Sequence, residues 1–156
     1  MRITRAALLA ATIFAASCAS DGTTSPAETR QFETRLSASA AAPSTPISGE
    51  LLTLSVSVTN TLPESVSGPV CADVVQARRA GVAWTDVTAG SFACSALAVI
   101  IPAGGTASIT AVADAAKVRT LLGGTTGTVV FRVQHSLSGD TKRYTLQSNE
   151  VTWTAN

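Results

Sequence analysis

The chain is short of charge, of aromatic rings and of histidine, and each shortage closes off a class of function. Asp, Glu, Lys and Arg make up 13% of its 156 residues, 11 basic against 10 acidic. No basic cluster is available to lie along a phosphate backbone, so no nucleic-acid partner is expected. Aromatic residues account for only 4%. The mixture is dominated by Ser, Thr, Ala and Val rather than by the Leu, Glu and Lys of a helical bundle, which predicts a β-rich domain outside the cytosol. His135 is the one histidine. A Ser/His/Asp hydrolase would have to be built on it, and a zinc site would have no second imidazole. No apolar run is long enough to cross a bilayer of ~30 Å as a permanent helix. The length suits one domain with a workable core.

The N-terminus holds what these shortages leave. Arg2 and Arg5 precede an apolar stretch from Ala7 to Ala16, broken only by Thr12, and the small residues Ala15, Ala16 and Ser17 lead into Cys18. This is the layout of a secretory signal over residues 1–17. Ala15-Ala16-Ser17-Cys18 resembles the lipobox of bacterial lipoproteins, with alanine where leucine is commoner at the first position. The resemblance implies cleavage before Cys18, lipidation of that cysteine, and a lipid-anchored protein of the bacterial cell envelope. Ala19, rather than aspartate, implies sorting to the outer membrane in a Gram-negative host. The plainer alternative is an ordinary secretory signal with an incidental cysteine. Cleavage leaves nine basic against ten acidic side chains, a net charge of −1. Residues 18–30, small, polar and broken by Gly22 and Pro26, read as a flexible tether.

With Cys18 lipidated, Cys71 and Cys94 remain as an even pair in an exported chain, where thiols oxidise. A disulfide between them would close a loop of about 24 residues, worth roughly 3 kcal/mol on a chain-entropy estimate. Two free buried thiols are the alternative. No metal site or cofactor is expected, because neither cysteine has Cys or His neighbours at ligand spacing.

From residue 31 to 156 the pattern is that of strands. "FETRLSASA" (32–40) alternates as a first edge strand, and "PSTPISGE" carries turn residues. In "LLTLSVSVTN", Leu52, Leu54, Val56 and Val58 alternate with Ser and Thr, giving one buried and one wet face. "TLPESVSGP" breaks the pattern. "VCADVVQARRAGVAWTDV" resumes it as two strands around an Ala80-Gly81 turn, with Val70, Ala72 and Val74 the more core-like set. A Pro102–Gly105 turn separates an apolar run from a strand bearing Ala107, Ile109 and Ala111. Asp114 can cap a short helix whose Val118, Leu121 and Leu122 share a face and which Gly123-Gly124 can end. "GTVVFRVQHSL" and "KRYTLQSNEVTWTA" make the final pair around Ser138-Gly139-Asp140. The sum is an all-β antiparallel sandwich of seven or eight strands with one short crossover helix.

On these features, residues 31–154 resemble a bacterial immunoglobulin-like domain. The strand ending in Asn60, Cys71, the hairpin with Trp84, Cys94, "IPAGGTASIT", "GTVVFRVQH" and "SNEVTW" carry the likeness. The order of Asn60, Trp84 and "PAGGT" is also similar to the BsuPI-type proteinase-inhibitor domain, itself such a sandwich. The resemblance implies an immunoglobulin-like β-sandwich with a non-catalytic binding or structural role, or alternatively an inhibitor of an envelope protease. It supplies no inhibitory loop, and Cys71 and Cys94 do not follow the antibody-domain spacing.

The side chains that could carry chemistry read blandly. His135 shares a face with Val129, Phe131 and Val133 and belongs at the core edge or where the strand meets solvent; no Gly-x-Ser-x-Gly elbow accompanies it, so a hydrolase is a distant alternative. Asp73, Asp86, Asp114 and Glu150 are scattered over different elements, unlike the paired carboxylates of a glycosidase. Arg78-Arg79 and Lys142-Arg143 could meet an anionic glycan or a lipid headgroup, but serve as well to guard strand edges. Trp153 is expected in the core, and Trp84 there too rather than as an exposed recognition aromatic. A protein or glycan partner would meet the 61–69 loop, the 79–82 turn, the 138–141 turn or an exposed edge strand.

Overall fold

The computed structural model describes residues 32–90 and 97–156. The 1–17 signal, the 18–30 tether, Cys18 and Cys94 therefore lie outside the described residues. The domain is an all-β sandwich of two antiparallel sheets. Its strands are β1 (Leu36–Ala40), β2 (Leu51–Asn60), β3 (Val66–Pro69), β4 (Val74–Arg78), β5 (Thr85–Asp86), β6 (Ala98–Ile101), β7 (Thr106–Asp114), β8 (Gly127–Ser138), β9 (Arg143–Gln147) and β10 (Val151–Ala155). One helix, α1 (Ala115–Leu122), connects β7 to β8.

The smaller sheet runs β1-β2-β7, and the alternation in β2 decides its buried face. Leu52, Leu54, Val56 and Val58 are fully buried, while Ser55 and Ser57 face water. Ala38 stands opposite Val58 on one side, and Ile109 stands opposite Val56 on the other. The larger sheet runs β5-β4-β8-β3-β6, with β9 and β10 also paired to β8. It adds Val75, Ala77, Val129, Phe131, Val133 and Leu137 to the core. The helix carries the chain from one sheet to the other. Asp114 accepts the Ala116 and Lys117 N–H groups, and Gly123, at φ 75°, closes the last turn in the left-handed conformation. Val118 and Leu122 are its buried residues beside Ala115.

Asn60 forms the corner where β2 ends. It is completely buried, its Nδ2 donates to the carbonyls of Glu64, Ile101 and Pro102, and its Oδ1 accepts the Leu62 N–H. One side chain thus ties the end of β2 to the turn between β6 and β7.

Among the described residues there are ten strands rather than the expected seven or eight, and the pleat of β4 differs as well. "SVSGP", expected as a break, contains the short β3. The segment from Val70 leaves the larger sheet and bonds β7 instead, with the Ala72 N–H donating to Thr110 O and the Thr110 N–H to Val70 O. β4 therefore starts only at Val74, and its inward residues are Val75 and Ala77, opposite to the set that looked more core-like. The last stretch divides into β9 and β10. Between the Gln134–Gln147 and Phe131–Val151 pairs, β8 has two residues and the partner strand three, a β-bulge. At the bulge Ser148 Oγ takes the Val133 N–H, and Asn149 turns to bond Ala38 and Ala40 of β1.

Candidate functional site

Of the residues that could carry chemistry, two come together, Asp73 and His135. Register sets Val74 opposite Gln134, so Asp73 meets His135 across the same edge. His135 Nδ1 lies 3.6 Å from Asp73 Oδ1; the ring is fully buried while the carboxylate is 40% exposed. This distance is longer than a hydrogen bond, and among the described residues neither ring nitrogen has a hydrogen-bond partner. Burial raises the Asp73 pKa, but interactions with His135 and Ser136 outweigh it and leave the carboxyl below its ordinary value. The strand beside the imidazole approaches closely. A Cβ on Gly68 would lie 3.6 Å from His135 Nε2, 2.7 Å from Leu137 Cδ2 and 2.9 Å from the Ser136 carbonyl. No face of the ring is open to an external group in this arrangement.

The other acids are engaged locally. Asp86 accepts from the Thr88 N–H and hydroxyl, and although burial opposes it these bonds lower its pKa. Asp114 caps α1, and Glu150 pairs with Arg78 at 3.0 Å. Among the described residues, no three of His, Cys, Asp and Glu are grouped as metal ligands.

Trp84 departs from expectation. It is half-buried on the outer face of the larger sheet, with the Arg78 and Arg132 guanidinium carbons 4.5 and 4.1 Å from its ring centroid. Arg132 Nε donates to Gln76 Oε1 at 2.7 Å, and Gln134 Nε2 donates to Gln147 Oε1 at 3.1 Å. The hairpin carries Trp84 outward because β4 turns Arg78 and Gln76 away from the core, against the other pleat. Its ring is covered by guanidinium groups rather than presented for recognition. Trp153 is half-buried against the core, 6.0 Å from Phe131 between ring centroids.

The three expected contact loops do not form one surface. Glu64, in the 61–69 loop, accepts the Tyr144 hydroxyl and the Asp140 N–H, and so joins that loop to the 138–141 turn. The Tyr144 bond lowers the Glu64 pKa, and the Glu64 bond, with burial, pushes Tyr144 up to about 12. The 79–82 turn belongs to the opposite end of β8, where Arg78 stands across from Val130. The basic doublets are engaged as well: Arg79 reaches Leu122 O, and Lys142 lies over the Tyr144 ring at 4.7 Å.

One surface has no such engagement. β6 stands at the end of the larger sheet's strand order, and beside it Leu97 and Ile100 are 68% and 69% exposed. The sequence carries a signal for this surface in the absence of any charged residue from Val87 to Ala113. The Asp73–His135 approach and the Glu64–Tyr144 bond join residues 62 and 80 positions apart and leave no such trace.

No family model and no curated protein matches the chain. Solved structures do. The Northeast Structural Genomics Consortium target SoR45 covers 80% of this chain and 90% of its own, at 9% identity and a TM-score of 0.52. A structural-genomics target from Bordetella pertussis, described as a candidate ApaA protein, covers 81% and 96% at 12% identity and a TM-score of 0.47. At 9% identity the first likeness speaks for the fold alone.

Proposed function

We propose that this chain is a lipid-anchored protein of the bacterial cell envelope whose β-sandwich is a non-catalytic binding module. The observation that carries the binding role is the β6 edge, where two large apolar side chains are exposed in an uncharged stretch of the chain. The anchor rests on Ala15-Ala16-Ser17-Cys18, and the tether on residues 18–30. A Cys71–Cys94 disulfide accompanies it, supported by Cys71 not being a free thiol and by the oxidising compartment.

One experiment tests both halves. The full-length chain, carrying a photo-crosslinking side chain at position 100, is expressed in a Gram-negative host with and without Cys18→Ser. The parent is expected in the membrane fraction, with an intact mass that starts at Cys18, carries acyl chains and lies two hydrogens below the reduced form. It should give discrete protein adducts on illumination, while the same probe at Thr152, exposed on β10, should give none. Membrane retention of the Cys18→Ser chain would overturn the anchor, and no adduct at position 100 would overturn the binding role.

A further inference from the structure

Resting on that reading, we infer that β6 takes an extended, uncharged segment of a partner protein as an eighth strand of the larger sheet. The backbone supplies the first argument. The Val70 N–H donates to Leu97 O at 3.1 Å, and the β3–β6 register continues as Gly68–Val99 and Val66–Ile101. In an antiparallel pair the hydrogen-bonded residues alternate, so 97, 99 and 101 turn their backbone groups toward β3. Those of Ala98 and Ile100 face away from it. Two N–H and two C=O groups are thus aligned for another strand, and among the described residues nothing bonds them.

The second argument is that other edges of the sandwich are closed. Asn149 covers β1, and residues 70–72 and 87–89 cover β7 through the bonds of Ala72 to Thr110, Ala89 to Val112 and Asp114 to Val87. The Glu33 N–H reaches Thr145 of β9, β5 is two residues long with Asp86 at its end, and β10 exposes Thr152 and Thr154 rather than large apolar groups. Natural sheets block edge pairing by such covers, charges and short strands. Among the described residues β6 has no such cover, and no Lys, Glu, Asp, Arg or Pro lies between Leu97 and Ile101.

Charge and area then define the occupant. β3, alongside, is also uncharged, so an ionic side chain on an incoming strand would meet no counter-charge on this edge. Ile100 stands on the outer face, and Val99 and Leu97 on the inner one, which suits a strand with small or branched apolar side chains at alternate positions. Two exposed side chains fall far short of the ~800 Å² that each partner of a stable dimer buries. A segment held through main-chain bonds fits this edge; the body of a second copy does not.

The test uses the full-length mature protein in detergent and a dye-labelled octapeptide of alternating threonine and valine. Fluorescence anisotropy should rise saturably. Methylating alternate peptide nitrogens should weaken binding by about tenfold or more, because it removes the ladder donors and leaves the apolar groups. Ile100→Lys should weaken it similarly. So should Ala98→Pro, which removes an outward N–H at a position where an edge strand tolerates proline. Thr152→Lys should leave it unchanged. Absence of a saturable rise, or equal binding of the methylated peptide, overturns the inference. Self-association of the chain that Ile100→Lys abolishes also overturns it, by making a second copy the occupant. Adducts at position 100 together with failure of the peptide would sink strand addition while leaving the binding role standing.

Discussion

Asn60 is the residue on which the most backbone depends. Its side chain satisfies three carbonyls and one N–H at full burial. Leaving such groups unpaired costs more than the net worth of the bonds themselves. Asn60→Ala is therefore expected to lower the unfolding free energy by about 3 kcal/mol, read from urea denaturation. A loss below about 1 kcal/mol would mean that the corner reorganises around the gap. Tyr144 is a second informative residue, because the chain has one tyrosine and its ionisation is seen in isolation. The Glu64 carboxylate, with burial, holds the phenol neutral up to about 12. In Glu64→Gln, ultraviolet titration should place the midpoint nearer the ordinary ~10. An unmoved midpoint would show that Glu64 does not hold the phenol.

At the scale of elements, β3 and β8 approach closely at Gly68. Gly68 leaves no room for a side chain, since a Cβ would meet both Leu137 and a Ser136 backbone oxygen inside 3.0 Å. Gly68→Ala should destabilise the domain by about 2 kcal/mol, because a backbone oxygen cannot swing aside as a flexible side chain would. Thermal unfolding within error of the parent would contradict this. The elements also show what a one-dimensional pattern can carry. β2 was legible because both its flanks are paired and one face is wholly buried, so its ten residues alternate without interruption. The helix was legible because Asp114 and Gly123 mark its ends chemically. β4 misled because Cys71 and Ala72 bond β7 rather than β8, so part of an apparently continuous strand belongs to another ladder. Once that pleat is reversed, Arg78 is on the outer face and Trp84 follows it there. The bulge at Ser148 left no sign, since an extra residue between two alternating runs looks like more of the same strand. The exposed edge at β6 was open to a reading by charge, which its apolar pattern alone does not give.

For the whole molecule, acid and base act through identifiable groups. Hydrogen bonds from Arg35 bring Glu33 down to about 2, and the Tyr144 hydroxyl lowers Glu64. Burial is outweighed at Asp73 by interactions with His135 and Ser136, and at Asp86 by the hydrogen bonds from Thr88. Each carboxyl is more acidic folded than unfolded, so its contribution is present above the unfolded value of ~4 and fades as pH falls through the folded one. Tyr144 works in reverse: its contribution is present below ~10 and fades as pH rises toward the folded value. The thermal midpoint should accordingly be flat from about pH 5 to 9 and decline on both sides, more broadly on the acid side where four groups titrate. A midpoint that kept rising as the pH fell to about 3 would refute this assignment.

β8 makes hydrogen-bonded ladders with β3, β4, β9 and β10, and it begins only at Gly127. Strands β3 and β4 are made long before it and have no common neighbour until it arrives. The larger sheet consequently has a keystone laid late in synthesis: a chain stopped before Gly127 holds β1 to β7, yet lacks the strand around which two of them, β3 and β4, are ordered. Assembly must wait for distant parts of the chain to meet, which places folding among the slower, non-local topologies. Under the export proposed above, such lateness would leave the larger sheet unformed, and its strands threadable, until β8 has been delivered.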